Sequence, residues 1–449
     1  METNQDCLKV LLFPYLAHGH ISPFLELAKI LKNHNFNVYF CSTPINLKNI
    51  TKKLADNSIN QVEIHLQSSP ELPPHYHTTN GLPPNLIFSL VDALQKAGPA
   101  FSNILEIVQP DLVIYDISQP WLPPITASYD VPAVFFQTTG TSTVGFFLRF
   151  LKRPDLEFPS SALKFSESEM KVFRRVQKKN PSEDKLKDRF LGVLEQSNEI
   201  ILVRSSRAFE EKYIDFETIV AEKKMVPLGS LVSEPVENNL DDDTEIIIQW
   251  LNEKNKASTV YVSFGSECFL TKEEMKEVAL GLEISGVNFI WVVRSPGGEK
   301  TELEEVLPEG FLDRIKGRGF IEEGWAPQAK ILKHPSTGGF VSHCGWGSLM
   351  ESITFGVPLI AVPMQYDQPM NAKLVVEMGV GLEVAKGVNG WREGGEIGRI
   401  IEEVVVKDAG EAIRRKAREL AESVRVQSRN EVEAAVHELR RICHENKKN

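Results

Sequence analysis

From Leu8 onward, short apolar runs alternate with segments of helical period: LKVLLF, a helix around Phe24 to Leu31, NVYFCS, then a shorter helix. That alternation predicts βαβ units and a parallel sheet, because a strand buried on both faces reads as a continuous apolar run and its crossover helix does not. The pattern continues through DLVIYD (111–116) and PAVFFQ (132–137) and fades into a polar, helix-leaning stretch over 164–190. It resumes at IILVRS (200–205) and closes with MVPLGS (225–230). The segment SEPVENNLDDD (233–243) holds a proline, three successive aspartates and almost no apolar residue. Such a segment adds nothing to a core and reads as a linker.

Beyond it the alternation restarts with STVYVSFGS (258–266), followed by Thr271 and Glu274 spaced as a capping box. The helix this box opens places Met275, Val278, Ala279 and Leu282 on one face. NFIWVVR (288–294), GGFVSH (338–343) and VPLIAVP (357–363) predict three further strands. The fold class is therefore α/β, with two doubly wound parallel-sheet domains. After about Lys407 the runs EAIRRKARELAESV and NEVEAAVHELRRI are charge-laced helices packed on one side.

Length supports two cores, since single cores stop growing near 250–300 residues and this chain has 449. A net charge of -11 argues against nucleic acid or an acidic membrane as partner. One small anion still binds readily at a helix start. The five cysteines are scattered and never form C-x-x-C, which suggests neither a disulfide framework nor zinc. METNQD lacks the basic start of a secretory signal, and no stretch is long and apolar enough to span a bilayer. These features predict a cytoplasmic protein with no membrane insertion.

Ligands of open α/β sheets bind beyond the carboxyl ends of the strands, so residues that follow strands are the first candidates. PYLAHGHISPF (14–24) puts His18 and His20 on the turn between the first strand and the first helix. Asp116 ends DLVIYD. An imidazole and a carboxylate at neighbouring strand ends are what a general base needs, the carboxylate fixing the tautomer and stabilising the cation. Taken alone, an aspartate at a strand end as often caps a helix. A metal at His18 and His20 lacks further ligands, since no H-E-x-x-H or cysteine cluster is present. The third place is the run Trp325 to Gln368, where HCGWGS (343–348) follows a strand and opens a helix ending near Phe355. Its free amides suit phosphate, although neither G-x-G-x-x-G nor a P-loop motif occurs there.

The 44 residues from Trp325 to Gln368 resemble the donor-binding box of the plant UDP-glycosyltransferases, the family-1 enzymes with the GT-B fold. GHISPFLELAK, VSFGSE (262–267) and NFIWVVR are similar to the same family. The resemblance implies two Rossmann-like domains facing a cleft. Trp325 would stack on uracil, with Ala326 and Gln328 at the base edge and Glu351 on the ribose hydroxyls. His343, Gly345, Trp346, Gly347 and Ser348 would surround the diphosphate, with Ser266 in the facing loop. Tyr366, Asp367 and Gln368 would lie at the sugar, and the final Gln implies UDP-glucose. The family box reads HCGWN, so Gly347 here lacks a side-chain hydrogen bond to the donor. His20, rather than His18, would be the base and Asp116 its partner, in a single inverting displacement without a metal or other cofactor.

By the same resemblance residues 1–232 form the acceptor-binding domain, 233–243 a linker, 244–425 the UDP-sugar-binding domain, and 426–449 a helix packing back on the first domain. The expected protein is a monomer whose partners are a UDP-sugar and a small glycoside. HTTNGLPP (77–84) and VIYDISQPW (113–121) look like the subgroup that adds a sugar to a sugar already attached to a natural product, such as a terpenoid, flavonoid or lignan glucoside. Trp121, Phe136, Thr138, Thr139 and Phe147 are the candidate acceptor residues, with core packing the competing role for each. An aglycone glucosyltransferase, a nucleotide-sugar epimerase of the same fold and a non-catalytic UDP-sugar-binding protein are the alternatives.

Overall fold

The computed structural model describes residues 7–167, 170, 190–235, 242–294, 302–387 and 390–448. Residues 1–6, most of the polar stretch 164–190 and the middle of the linker, 236–241, lie outside the described residues. The chain divides into two compact units: Met1–Pro159 with Lys171–Leu231 and Val426–Asn449, and Ser160–Met170 with Val232–Arg425.

The first unit is built on seven parallel strands: β1 Lys9–Phe13, β2 Asn37–Ser42, β3 Asn60–Glu63, β4 Leu112–Tyr115, β5 Ala133–Gln137, β6 Ile200–Val203 and β7 Lys224–Pro227. Their order is β3-β2-β1-β4-β5-β6-β7, so the winding reverses between β1 and β4. A ligand-binding crevice of a doubly wound sheet opens at such a reversal. Strand alternation divides the core in two. Leu11, Phe13, Val113, Tyr115 and Phe135 face one side, and Val10, Leu12, Leu112, Ile114, Val134 and Phe136 the other.

Phe136 takes the packing role that competed with acceptor binding. It is fully buried, with its ring 4.9 Å from that of Phe24 on the helix His18–Asn33, so it packs in the core. Its position in period-2 register with Val134, pointing away from Phe135, decides this. Phe136→Ala is expected to cost about 3–5 kcal/mol of stability, read by chemical denaturation, with the KM for acceptor unchanged in the surviving folded enzyme.

Ala435, Val436, Leu439 and Ile442 pack into the same face as Phe136. They belong to a single helix, Glu411–Asn446, rather than to two. Glu431 on that helix accepts hydrogen bonds from the Arg207 amide at 2.7 Å and the Ser206 hydroxyl at 3.1 Å. A second buried carboxylate, Glu210, caps the helix Thr141–Lys152, whose own N-cap is the side-chain-free Gly140. It accepts from the Thr141 and Ser142 amides at 3.1 and 2.8 Å. That cap fixes the start of the helix directly after the 138–140 turn.

The second unit repeats the logic with β8 Thr259–Ser263, β9 Asn288–Val293, β10 Gly319–Glu323, β11 Thr337–Ser342, β12 Leu359–Ala361 and β13 Gly381–Glu383, all parallel. The order is β10-β9-β8-β11-β12-β13, with its reversal between β8 and β11. The capping box forms as read, Thr271 and Glu274 each bonding the other's backbone amide at 3.2 and 2.9 Å. Among the described residues no helix is long and apolar enough to cross a membrane.

Candidate active site

The chain that leaves the reversal point of the first sheet carries His20, seven residues past the end of β1, and Asp116, the residue after β4. His18 and His20 lie in the first turn of the helix His18–Asn33 and not in a preceding turn: the His20 and Ile21 amides already bond the Ala17 carbonyl. His18 is exposed. His20 Nδ1 lies 2.9 Å from Asp116 Oδ2, with the carboxylate fully buried and the imidazole 22 % exposed. Asp116 does not serve as a helix cap. It also accepts the Tyr15 amide at Oδ2 (2.9 Å) and the Ile117 amide at Oδ1 (2.7 Å).

A carboxylate that is only an acceptor holds the proton on Nδ1, which leaves the lone pair of His20 on Nε2. The imidazole therefore has the tautomer and the partner of a general base. Gln119, fully buried, accepts the Asp116 amide at 3.0 Å and donates to the Pro14 carbonyl at 3.4 Å, stitching the exits of β4 and β1 together. The Tyr15 ring stands edge-on to His20 at 5.3 Å. Thr138, after β5, brings its hydroxyl within 3.0 Å of His20 Nδ1. Of the other acceptor candidates, Thr139 and Phe147 are half-buried. Trp121 packs edge-on to Phe13 and Phe101 at 6.3 and 5.7 Å, while its indole N–H is buried without a hydrogen-bond partner among the described residues.

In the second unit Gly265 follows β8 and His343 follows β11, again at the reversal point. The His343 ring is clamped between two glycines. A Cβ at Gly265, where φ is +78°, would meet it at 2.7 Å, and one at Gly345 would meet Nε2 at 2.5 Å. Burial pushes the His343 pKa down to about 4, so the ring is neutral at physiological pH. Any anion here meets a hydrogen-bonding imidazole and not a cation.

Gly345 is the N-cap of the helix Trp346–Phe355 and offers no side-chain cap. The amides of the first turn, through Gly347 and Ser348, thus lack an intrahelical acceptor and present the positive end of the dipole. One turn on, Glu351 accepts from Gln328 Nε2 at 2.7 Å, and the same amide reaches the Ser348 hydroxyl at 3.4 Å. Ser266 is half-buried in the loop after β8, Ala326 is buried, and Trp325 is 62 % exposed. Tyr366 is exposed at a backbone φ of +56°. Asp367 accepts from Asn371 at 2.8 Å, and Asn371 also bonds the Cys344 carbonyl at 3.0 Å, tying the two loops. The Gln368 side chain turns inward: its Oε1 accepts the Met364 and Gln365 amides at 2.9 and 2.8 Å, and its Nε2 lies 3.4 Å from Cys268 Sγ.

A family model described as UDP-glucoronosyl and UDP-glucosyl transferase matches residues 228–389, which include all of this second constellation. UDP-glucosyltransferase 29 of Panax ginseng is 48 % identical over 449 residues, covering 100 % of this chain and 99 % of the relative. The chain belongs to the plant UDP-glycosyltransferase family. A second relative of this glycosyltransferase, the beta-D-glucosyl crocetin beta-1,6-glucosyltransferase of Gardenia jasminoides, is 47 % identical and covers 97 % of this chain and 99 % of its own. The solved structure of Phytolacca americana UGT2 with UDP-2fluoro-glucose and pterostilbene superposes with a TM-score of 0.77 at 28 % identity, covering 97 % of this chain and 100 % of that one. The two parallel α/β sheets match the GT-B fold of such enzymes.

Burial of His343 gives the glycosyltransferase a pH signature. An unfolded histidine titrates near 6.5 and the folded His343 near 4. Between those values only the unfolded chain binds this proton, so its contribution to stability is whole above pH 6.5 and is lost as pH falls to 4. The loss amounts to roughly 3 kcal/mol. Urea unfolding at pH 7 and pH 4.5 is expected to show a steeper decline for the wild type than for His343→Gln.

Sequence reasoning singled out His20, Asp116 and the run Trp325–Gln368 as candidates but not Tyr15, Gln119, Asn371 and Cys268, which the structure places in contact with them or their loops. Gln119 and Tyr15 sit in the very runs that carry the pair, and a polar residue three positions past Asp116 was the available signal. Asn371 and Cys268 act through contacts 27 and 100 residues away, which no local pattern reveals.

Proposed function

We propose that the enzyme transfers glucose from UDP-glucose, with inversion, to a sugar hydroxyl of a plant terpenoid, flavonoid or lignan glucoside. The observation that carries the chemistry is the 2.9 Å contact between His20 Nδ1 and the buried Asp116 carboxylate. His20 Nε2 takes the acceptor proton as the hydroxyl oxygen attacks the anomeric carbon. The bond from that carbon to the diphosphate breaks, UDP leaves, and the imidazolium stays paired with Asp116. An α-linked donor then yields a β-glycoside. The developing charge on UDP falls to the amides that open the helix Trp346–Phe355 and to neutral His343. Trp325 takes the uracil, Ala326 and Gln328 its edge, Glu351 the ribose, and Tyr366, Asp367 and Gln368 the sugar.

The inward Gln368 amide supports a role through the 364–367 loop that it fastens, with Asp367 the more direct sugar ligand. The unpartnered Trp121 N–H and the Thr138 and Thr139 hydroxyls suit a polar, glycosylated acceptor better than a bare aglycone, since a buried donor without an acceptor costs about 1–3 kcal/mol. The name of the Gardenia relative, which acts on a glucosyl crocetin, supports the same class. Incubating the enzyme and UDP-glucose with paired aglycones and monoglucosides tests the reading by mass and linkage analysis. Products from monoglucosides alone are expected. Turnover confined to aglycones would instead make it an aglycone glucosyltransferase, and epimerised UDP-sugar without acceptor an epimerase.

A further inference from the structure

Arg294 ends the run NFIWVVR and has no part in the site as described so far. Strands β9 and β10 run parallel with Val293 opposite Glu323, so Arg294 and Gly324 are the first residues to leave two adjacent strands at their carboxyl ends. Arg294 Nε donates to the Gly324 carbonyl at 2.8 Å, and its guanidinium carbon lies 5.2 Å from the centre of the Trp325 ring. Gly324 has a φ of +106°, a conformation that strains any side chain, and it turns the chain sharply outward at Trp325. The indole that follows is 62 % exposed.

We infer that Arg294 is a positioning residue for the nucleotide base: it grips the turn at Gly324 and backs the Trp325 indole, holding the ring in the plane that receives uracil. Arginine suits the task because its planar cation both donates to a carbonyl and lies against an aromatic face, whereas lysine offers a point charge that does one or the other. Fixing the ring in advance spares the ligand the entropy of ordering it. The arginine touches neither phosphate nor sugar in this scheme, so its effect is confined to the base. The inference rests on Trp325 being the uracil platform and extends that reading.

The test is calorimetric titration of the full-length enzyme and its variants with UDP and, separately, with inorganic pyrophosphate, alongside quenching of Trp325 fluorescence by UDP. Wild type is expected to bind UDP with quenching that Trp325→Ala abolishes. Arg294→Ala is expected to weaken UDP about tenfold and raise the KM for UDP-glucose to match, with pyrophosphate affinity, kcat and acceptor KM unchanged. Arg294→Lys recovers part of the loss, and both variants keep wild-type circular dichroism. Unchanged or tighter UDP binding in Arg294→Ala overturns the inference while leaving the Trp325 platform standing. UDP binding in wild type that does not involve Trp325 overturns both.

Discussion

His20→Ala is expected to lower kcat/KM at least about a hundredfold while UDP affinity stays within about twofold of wild type. The two halves of that expectation have separate structural causes. The imidazole is held on the carboxyl end of the first unit's sheet by Asp116, at 2.9 Å. Every residue assigned to the nucleotide belongs to the second unit, from Ser266 to Gln368. Removing the base therefore leaves Trp325, Gln328, Glu351 and the helix start at Trp346 untouched. His20 is also 22 % exposed and outside the apolar core, so truncating it opens no large cavity. Steady-state kinetics beside calorimetric UDP titration check both halves. A turnover number that survives the substitution would remove His20 from the mechanism.

Asp116→Asn should have the second largest effect, a loss in kcat of at least about tenfold and no greater than that of His20→Ala. The isosteric amide keeps one oxygen to accept the Tyr15 or Ile117 amide, which now bond Asp116 at 2.9 and 2.7 Å. It offers an N–H where the carboxylate offered an acceptor. Turned toward His20, that N–H drives the imidazole proton from Nδ1 to Nε2 and takes away the lone pair the acceptor needs. Charge is lost as well, so the imidazolium formed on proton transfer goes without its counter-ion. A double variant, His20→Ala with Asp116→Asn, is expected to be scarcely slower than His20→Ala alone, because the aspartate acts only through the histidine. A loss in the double variant equal to the product of the two single losses would give Asp116 an independent role.

The sequence made the central strands legible because each is a buried apolar run: NVYFCS corresponds residue for residue to β2, and LKVLLF and PAVFFQ lie within one residue of β1 and β5. The strands it did not reveal are β3, β10 and β13, with the sequences NQVE, GFIEE and GLE. All three lie at sheet edges, where one side goes uncovered and polar residues are admitted, so the apolar signal fades. The single helix Glu411–Asn446 looked like two because its buried stripe is thin: few apolar positions separate Ala417 and Val424 from Ala435.

For the site, His20 and Asp116 could be paired from their strand ends once the topology placed β1 beside β4. The side to which a strand residue points was harder to judge. Phe136 and Thr138 share a face by strict alternation, yet Phe136 lies inside β5 and meets Phe24, whereas Thr138 lies just past its end and meets His20. That boundary separates core from site. The inward turn of Gln368 and the grip of Arg294 on Gly324 depend on backbone conformations at residues 364–367 and 324, which composition does not encode.

Proton NMR of the product formed from UDP-glucose and a plant monoglucoside reads the stereochemistry at the newly bonded anomeric carbon. Direct attack by a hydroxyl that His20 deprotonates predicts a β linkage from the α-linked donor at every time point. A new linkage that is α from the start would contradict the account.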